Sequence, residues 1–192
     1  MEKEIRHNFE NTDFRVLPKD GKNFLKYYAV VFNSDSKPIY GQFIERILPT
    51  AFDNADMSEI VAKYNHDINF VLGTTWGRTL TWGKDEIGIW AEVELPATTT
   101  GEEVRVLAER GDLRGASFEF SLNKDGAKWY YETIGGVEVE VRDVINVRKV
   151  YDLSPVITPA YKATESLTQL YKREMQEYLG VTEEVKTEKV LD

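Results

Sequence analysis

The chain has 192 residues, 42% hydrophobic and 30% charged, which fits one soluble globular domain large enough to bury a core without staples. It has no cysteine, so disulfides, thiolate zinc sites and a cysteine nucleophile are excluded. The formal net charge of −9, with no basic stripe carrying interleaved aromatics, argues against nucleic acid as a partner.

The N-terminal ten residues are charged and lack an apolar run, so no signal peptide is read. No segment reaches the length of a membrane-spanning helix. The expectation is a soluble cytoplasmic protein without a membrane partner. Residues 1–23 read as an irregular arm, with Pro18, Asp20 and Gly21 marking a turn. From Phe24 the texture changes, and Tyr27 to Phe32 is an aromatic and β-branched run that predicts a buried strand. A second strand is predicted over Ile39 to Leu48, then a helical turn over Pro49 to Asp53. Glu59 to Tyr64 alternates and runs into Asn65-His66-Asp67.

Arg78 to Trp82 and Ile87 to Leu95 predict two strands. In the second, Ile87, Ile89, Ala91, Val93 and Leu95 share one face and Trp90, Glu92 and Glu94 the other. Thr100 to Arg110 predicts a helix, with Thr100 as N-cap, Glu103 completing a capping box, Gly111 as stop and Val104, Leu107 and Ala108 on one face. Arg114 to Leu122 reads as strand. Lys128 to Thr133 and Val137 to Val141 read as a hairpin around Gly135-Gly136, and Val144 to Tyr151 as a further strand. Thr164 to Leu179 has amphipathic helical spacing, and 181–192 reads as a flexible charged tail. The sum is a mainly β or α+β domain, a barrel being one way to arrange it.

Two histidines, His7 and His66, are the only imidazoles. A histidine-rich metal site is therefore not available, no loop alternates acidic residues around a central glycine, and no cofactor is expected. His66 ends a predicted strand, where functional groups concentrate, although a lone histidine is more often structural. Ser117 follows two small residues, Gly115 and Ala116, that leave room for a reacting carbonyl. Its surroundings are not the Gly-x-Ser-x-Gly elbow, and by spacing alone it is as well explained as a solvated strand serine. Serine needs a base to take its proton and the base needs a third group to orient it. Asp152 is one candidate for that third group. Asp67 fits less well, since strand neighbours point apart. Glu102 and Glu103 read as acidic residues favoured at a helix start. Trp76, Trp82, Trp90 and Trp129 read as packing before they read as a sugar platform.

Four blocks stand in order along the chain: Tyr40-Gly41-Gln42-Phe43-Ile44-Glu45-Arg46-Ile47 with Ala51-Phe52-Asp53; Asn65-His66-Asp67 with Leu72-Gly73-Thr74; Arg110 to Phe120 around Ser117-Phe118-Glu119-Phe120; and Asp152-Leu153-Ser154-Pro155-Val156 with Pro159-Ala160-Tyr161. Together they resemble the caudoviral prohead serine proteases, distant relatives of herpesvirus assemblin. The resemblance covers Tyr27 to Tyr161. It implies a mainly β (α+β) fold, a closed β-barrel of the herpesvirus-protease type with flanking helices, over 24–180. It also implies Ser117 as nucleophile, His66 as base and Asp152 as third member, where glutamate is common in the family. Ala116 stands where methionine is common, and Thr50 where glycine is. For the oxyanion, backbone N–H groups near Ser117 and the basic residues Arg142 and Arg148 are the implied candidates.

The implied activity is a serine endopeptidase acting on scaffold and major capsid protein precursors inside the immature phage shell, and on its own tail. A dimer is implied by analogy with assemblin. Two rivals remain: a non-catalytic assembly module of the same fold, and an unrelated β-barrel binding domain with Trp82 and Trp90 as its platform.

Overall fold

A computed structural model describes residues 2–8, 12–39, 42–134 and 136–157. The amphipathic run Thr164 to Leu179, the tail 181–192 and the motif residues Tyr40, Gly41 and Pro159-Ala160-Tyr161 lie outside the described residues.

The chain order is β1 (Glu4–Asn8), β2 (Arg15–Lys19), β3 (Lys22–Val31), β4 (Phe43–Ile47), β5 (Val61–Lys63), β6 (Val71–Thr74), β7 (Leu80–Lys84), β8 (Gly88–Glu94), α1 (Thr99–Arg110), β9 (Gly115–Leu122), β10 (Ala127–Ile134), β11 (Val137–Val144) and β12 (Val147–Val156). Short 3-10 turns occupy Pro49–Phe52 and Tyr64–His66. The strands form three sheets: β1-β9-β12-β5-β6, β10-β11-β4 and β2-β3-β8-β7. The β1-β9-β12-β5-β6 and β2-β3-β8-β7 sheets share a core that includes Leu25, Tyr27, Ile60, Ile89, Val93, Phe120, Val150 and Leu153, each at most 1% exposed; the β10-β11-β4 sheet joins it at Ile47 and Val144 and packs Ile44, Val139 and Val141 in a second cluster. The predicted alternation of β8 is present, with Ile89, Ala91 and Val93 fully buried between half-buried Trp90, Glu92 and Glu94.

The closed barrel with flanking helices does not form. No sheet closes on itself, and among the described residues there is one α-helix. Closure needs a continuous backbone ladder, and the strands here are divided among three separate sheets. Between β6 and β7 the chain turns a corner at which Thr79 Oγ1 accepts from the Thr74 N–H at 3.0 Å. Gly73 lets this corner pack, because a Cβ there would stand 2.7 Å from the Thr79 carbonyl oxygen and 2.8 Å from Val93 Cγ1. Between β1 and the β10-β11-β4 sheet the junction is a charged cluster, Arg6 and Arg142 against Glu4 and Glu45.

The N-terminal region, read as irregular, contains two strands. β1 pairs with β9 and β2 with β3. Their residues lack an apolar stripe because each lies at a sheet edge. β6 was likewise not visible as a strand. The helix begins one residue early and is capped by Thr98, whose Oγ1 accepts from the Gly101 N–H at 3.3 Å, rather than by Thr100. Three consecutive threonines offer the same hydroxyl, and the third residue after the true cap is Gly101, so no capping box forms. Gly111 ends the helix at φ 75°, as read.

Candidate active site

β9 is the central element. On one side it pairs with β12, placing Ser117 opposite Ser154; on the other it pairs with β1, placing Ser117 opposite His7. Both faces of the strand are covered, and Ala116, Ser117 and Phe120 are each 0% exposed.

His66 reaches this strand from the turn after β5. Asn65 and His66 both adopt left-handed conformations, φ 53° and 60°. Asparagine and histidine tolerate that region better than most residues, but two in succession persist only where the surroundings hold them. The Asn65 side-chain oxygen accepts from the Ile157 N–H at 2.8 Å, and the Asp67 N–H donates to the Tyr64 carbonyl at 3.1 Å. The tight turn aims the imidazole inward, with Nε2 2.5 Å from Ser117 Oγ. Asp67 is used elsewhere, accepting from the backbone and side-chain amides of Asn69.

Asp152 follows an irregularity in the β9–β12 ladder between Val150 and Asp152. Such bulges re-aim side chains. Fully buried, it presents Oδ1 3.3 Å from His66 Nδ1. That is an ion-pair separation without hydrogen-bond alignment, and the Ser154 hydroxyl donates to the same oxygen. Lys63 Nζ lies 2.8 Å from Oδ2, so the buried carboxylate has a cation on its far side. Ser154 Oγ also accepts from the Lys63 N–H at 2.9 Å, tying β5 to β12 beside Pro155. The structure therefore brings Ser117, His66 and Asp152 into one line, with the imidazole between hydroxyl and carboxylate. Lys63 and Ser154 were not singled out from the sequence. Ser154 lies within the quoted Ser-Pro-Val block, but nothing in that block marks Lys63.

The two basic residues named for the oxyanion are placed elsewhere. Arg142 extends from β11 and is held by Glu4 and Glu45, at 2.8 Å and 2.9 Å among its contacts. Arg148 is exposed near the start of β12, six residues before Ser154, about 20 Å away at roughly 3.3 Å per residue. Neither has a described contact with Ser117 or His66.

β1 was also missed. The Ser117 hydroxyl lies 2.8 Å from the Arg6 carbonyl oxygen, to which it can donate, and the His7 ring lies 5.9 Å from that of His66, edge-on. Burial pushes the His7 pKa below the ordinary imidazole value, and the neighbouring His66 and Arg6 push the same way. A depressed group takes up protons more readily once released. Docking of β1 is thus favoured above the ordinary value near 6.5 and weakens as pH falls through it. Hydrogen exchange of the β1 amides, corrected for intrinsic rates, should lose protection between about pH 7 and 5.

Among the described residues no helix is long and apolar enough to cross a membrane. A family profile described as caudovirus prohead serine protease matches residues 10–180. One solved structure, that of the bacteriophage T4 capsid assembly protease gp21, aligns at 8% identity with a TM-score of 0.47, covering 83% of this chain and 100% of that one. None of the curated proteins matches the chain.

Proposed function

The chain belongs to the caudovirus prohead serine protease family, and on that footing we propose that it is an active serine endopeptidase with Ser117 as nucleophile, His66 as general base and Asp152 as the orienting carboxylate. The observation that carries this is the alignment Ser117 Oγ, His66 Nε2, His66 Nδ1, Asp152 Oδ1, at 2.5 Å and 3.3 Å. In the reaction His66 takes the Ser117 proton as Oγ attacks the peptide carbonyl carbon. It then gives that proton to the leaving amine, and water releases the acyl group by the reverse sequence. Asp152 fixes the ring so that Nδ1 carries its hydrogen and stabilises the imidazolium. Lys63 and Ser154 give the buried carboxylate its partners and hold it in place, because a buried charge without them is costly. Backbone N–H groups beside Ser117 are the remaining candidates for the oxyanion.

The substrates of this reading are scaffold and major capsid protein precursors inside the immature shell within the host cytoplasm. The chain's own tail is included, and self-association accompanies the activity. One observation favours the rival, a non-catalytic assembly module: Ser117 is covered by β1. Labelling with a fluorophosphonate separates the two. A single adduct at Ser117, absent in His66→Ala, is the expected result. Intact protein without an adduct after prolonged incubation supports the assembly module.

A further inference from the structure

β1 lies where a reacting peptide must lie. It is extended and antiparallel to the strand that carries Ser117, and its Arg6 carbonyl oxygen stands 2.8 Å from Ser117 Oγ. An edge strand offers main-chain groups to any extended segment, so this position accepts other peptides in the same register. A hydroxyl carries one proton. The Arg6 carbonyl and His66 Nε2 compete for it, at 2.8 Å and 2.5 Å, so the occupied state is also a resting state.

Side chains alternate along the strand. Ile5 and His7 share a face with Ser117, whereas Glu4 and Arg6 share the opposite face with Phe118 and Phe120. On that face Arg6 Nε donates to Glu45 Oε1 at 2.8 Å, and Arg142 Nη2 donates to Glu4 Oε1 at 2.8 Å. Glu45 is 3% exposed and Arg142 8%. Glu45 and Arg142 also pair with each other at 2.9 Å, so the two remain mutually neutralised when β1 leaves. Beside Arg6 a cleft of about 480 Å³ has Val30, Val31, Ile47 and Phe118 on its walls, with Glu45 among its polar groups. Apolar walls with a buried carboxylate fit a long aliphatic stem that ends in a cation.

We propose that the β9 edge held by Glu4–Asn8 is the substrate-docking strand, and that it takes extended peptides with a basic residue in the place of Arg6, just before the scissile bond, and an acidic residue two positions earlier. β1 is the built-in occupant that such a peptide displaces. This rests on Ser117 being the nucleophile.

The test uses full-length protein in two ways. Arg6→Glu sets a carboxylate against Glu45, and His7→Pro removes a backbone N–H from the strand and fixes its φ. Both should release β1 and raise the rate of fluorophosphonate labelling by about tenfold, the factor for a site covered about nine parts in ten. Two peptides of one composition, acidic-x-basic and basic-x-acidic before the scissile bond, are then offered to the wild type. The first should be cleaved at least about tenfold faster, because the second opposes like charges at both sockets. Labelling of wild type and both variants at one rate, or equal cleavage of the two peptides, overturns the docking assignment and leaves the nucleophile standing. No labelling in any of the three proteins removes the nucleophile, and the docking assignment with it.

Discussion

His66→Ala and Ser117→Ala should each lower peptide cleavage by about 10⁶-fold, and the double variant should be little worse than either. The reason is that the two side chains perform one step. With Nε2 2.5 Å from Oγ, the base accepts the proton that the nucleophile loses, so removing either partner removes the whole event. Neither change should unfold the protein. His66 sits on a surface turn, and Ser117→Ala removes one hydroxyl whose partners are the imidazole and a strand-edge carbonyl. Steady-state cleavage of a peptide, with urea unfolding of the same samples, checks both halves of the expectation. A loss near tenfold would mean that the pair is not the proton-transfer couple.

Asp152→Asn should reduce kcat by about 10⁴-fold, because an amide can hold the imidazole in the wrong tautomer and cannot balance the imidazolium. The same residue also has a structural duty that the other two lack. It is fully buried, with Lys63 2.8 Å away. Asp152→Ala leaves that ammonium, largely shielded from water, without its counter-charge. We expect a loss of about 3 kcal/mol in unfolding free energy, the range seen when one partner of a buried pair is removed. If Asp152→Ala and Ser117→Ala unfold at the same urea concentration, Asp152 is not held in this way.

The sequence was most legible where a residue faces a dry core. Ile89, Ala91 and Val93 announce β8 by alternation, and Val104 and Ala108 mark the inner face of α1. It was least legible at edges. Glu4, Arg6 and Asn8 pair through their backbones, which carry no side-chain signature, so β1 reads as loop. The barrel expectation failed for a related reason. Closure is decided by pairing between distant strands, and here β1 meets the β10-β11-β4 sheet through a charge cluster of Glu4, Arg6, Glu45 and Arg142 in place of a ladder. Ser117, His66 and Asp152 were named because their motif blocks resemble a known family, and the structure places the three side chains next to one another. Lys63 acts from 89 positions before Asp152, and only the placing of β5 beside β12 brings the two together. Arg142 was named for its charge, but Glu4 and Glu45 were not foreseen as its partners.

On the proposed function, Ser117 and His66 cut peptide bonds in a capsid precursor. The most direct test is co-expression of the chain with that precursor, with wild type, Ser117→Ala and His66→Ala compared by intact mass. A trimmed precursor with wild type alone, and full-length precursor with both variants, is the expected result. Identical masses in all three, with the protein still incorporated into assembled shells, would contradict it and leave an assembly module in place of the protease.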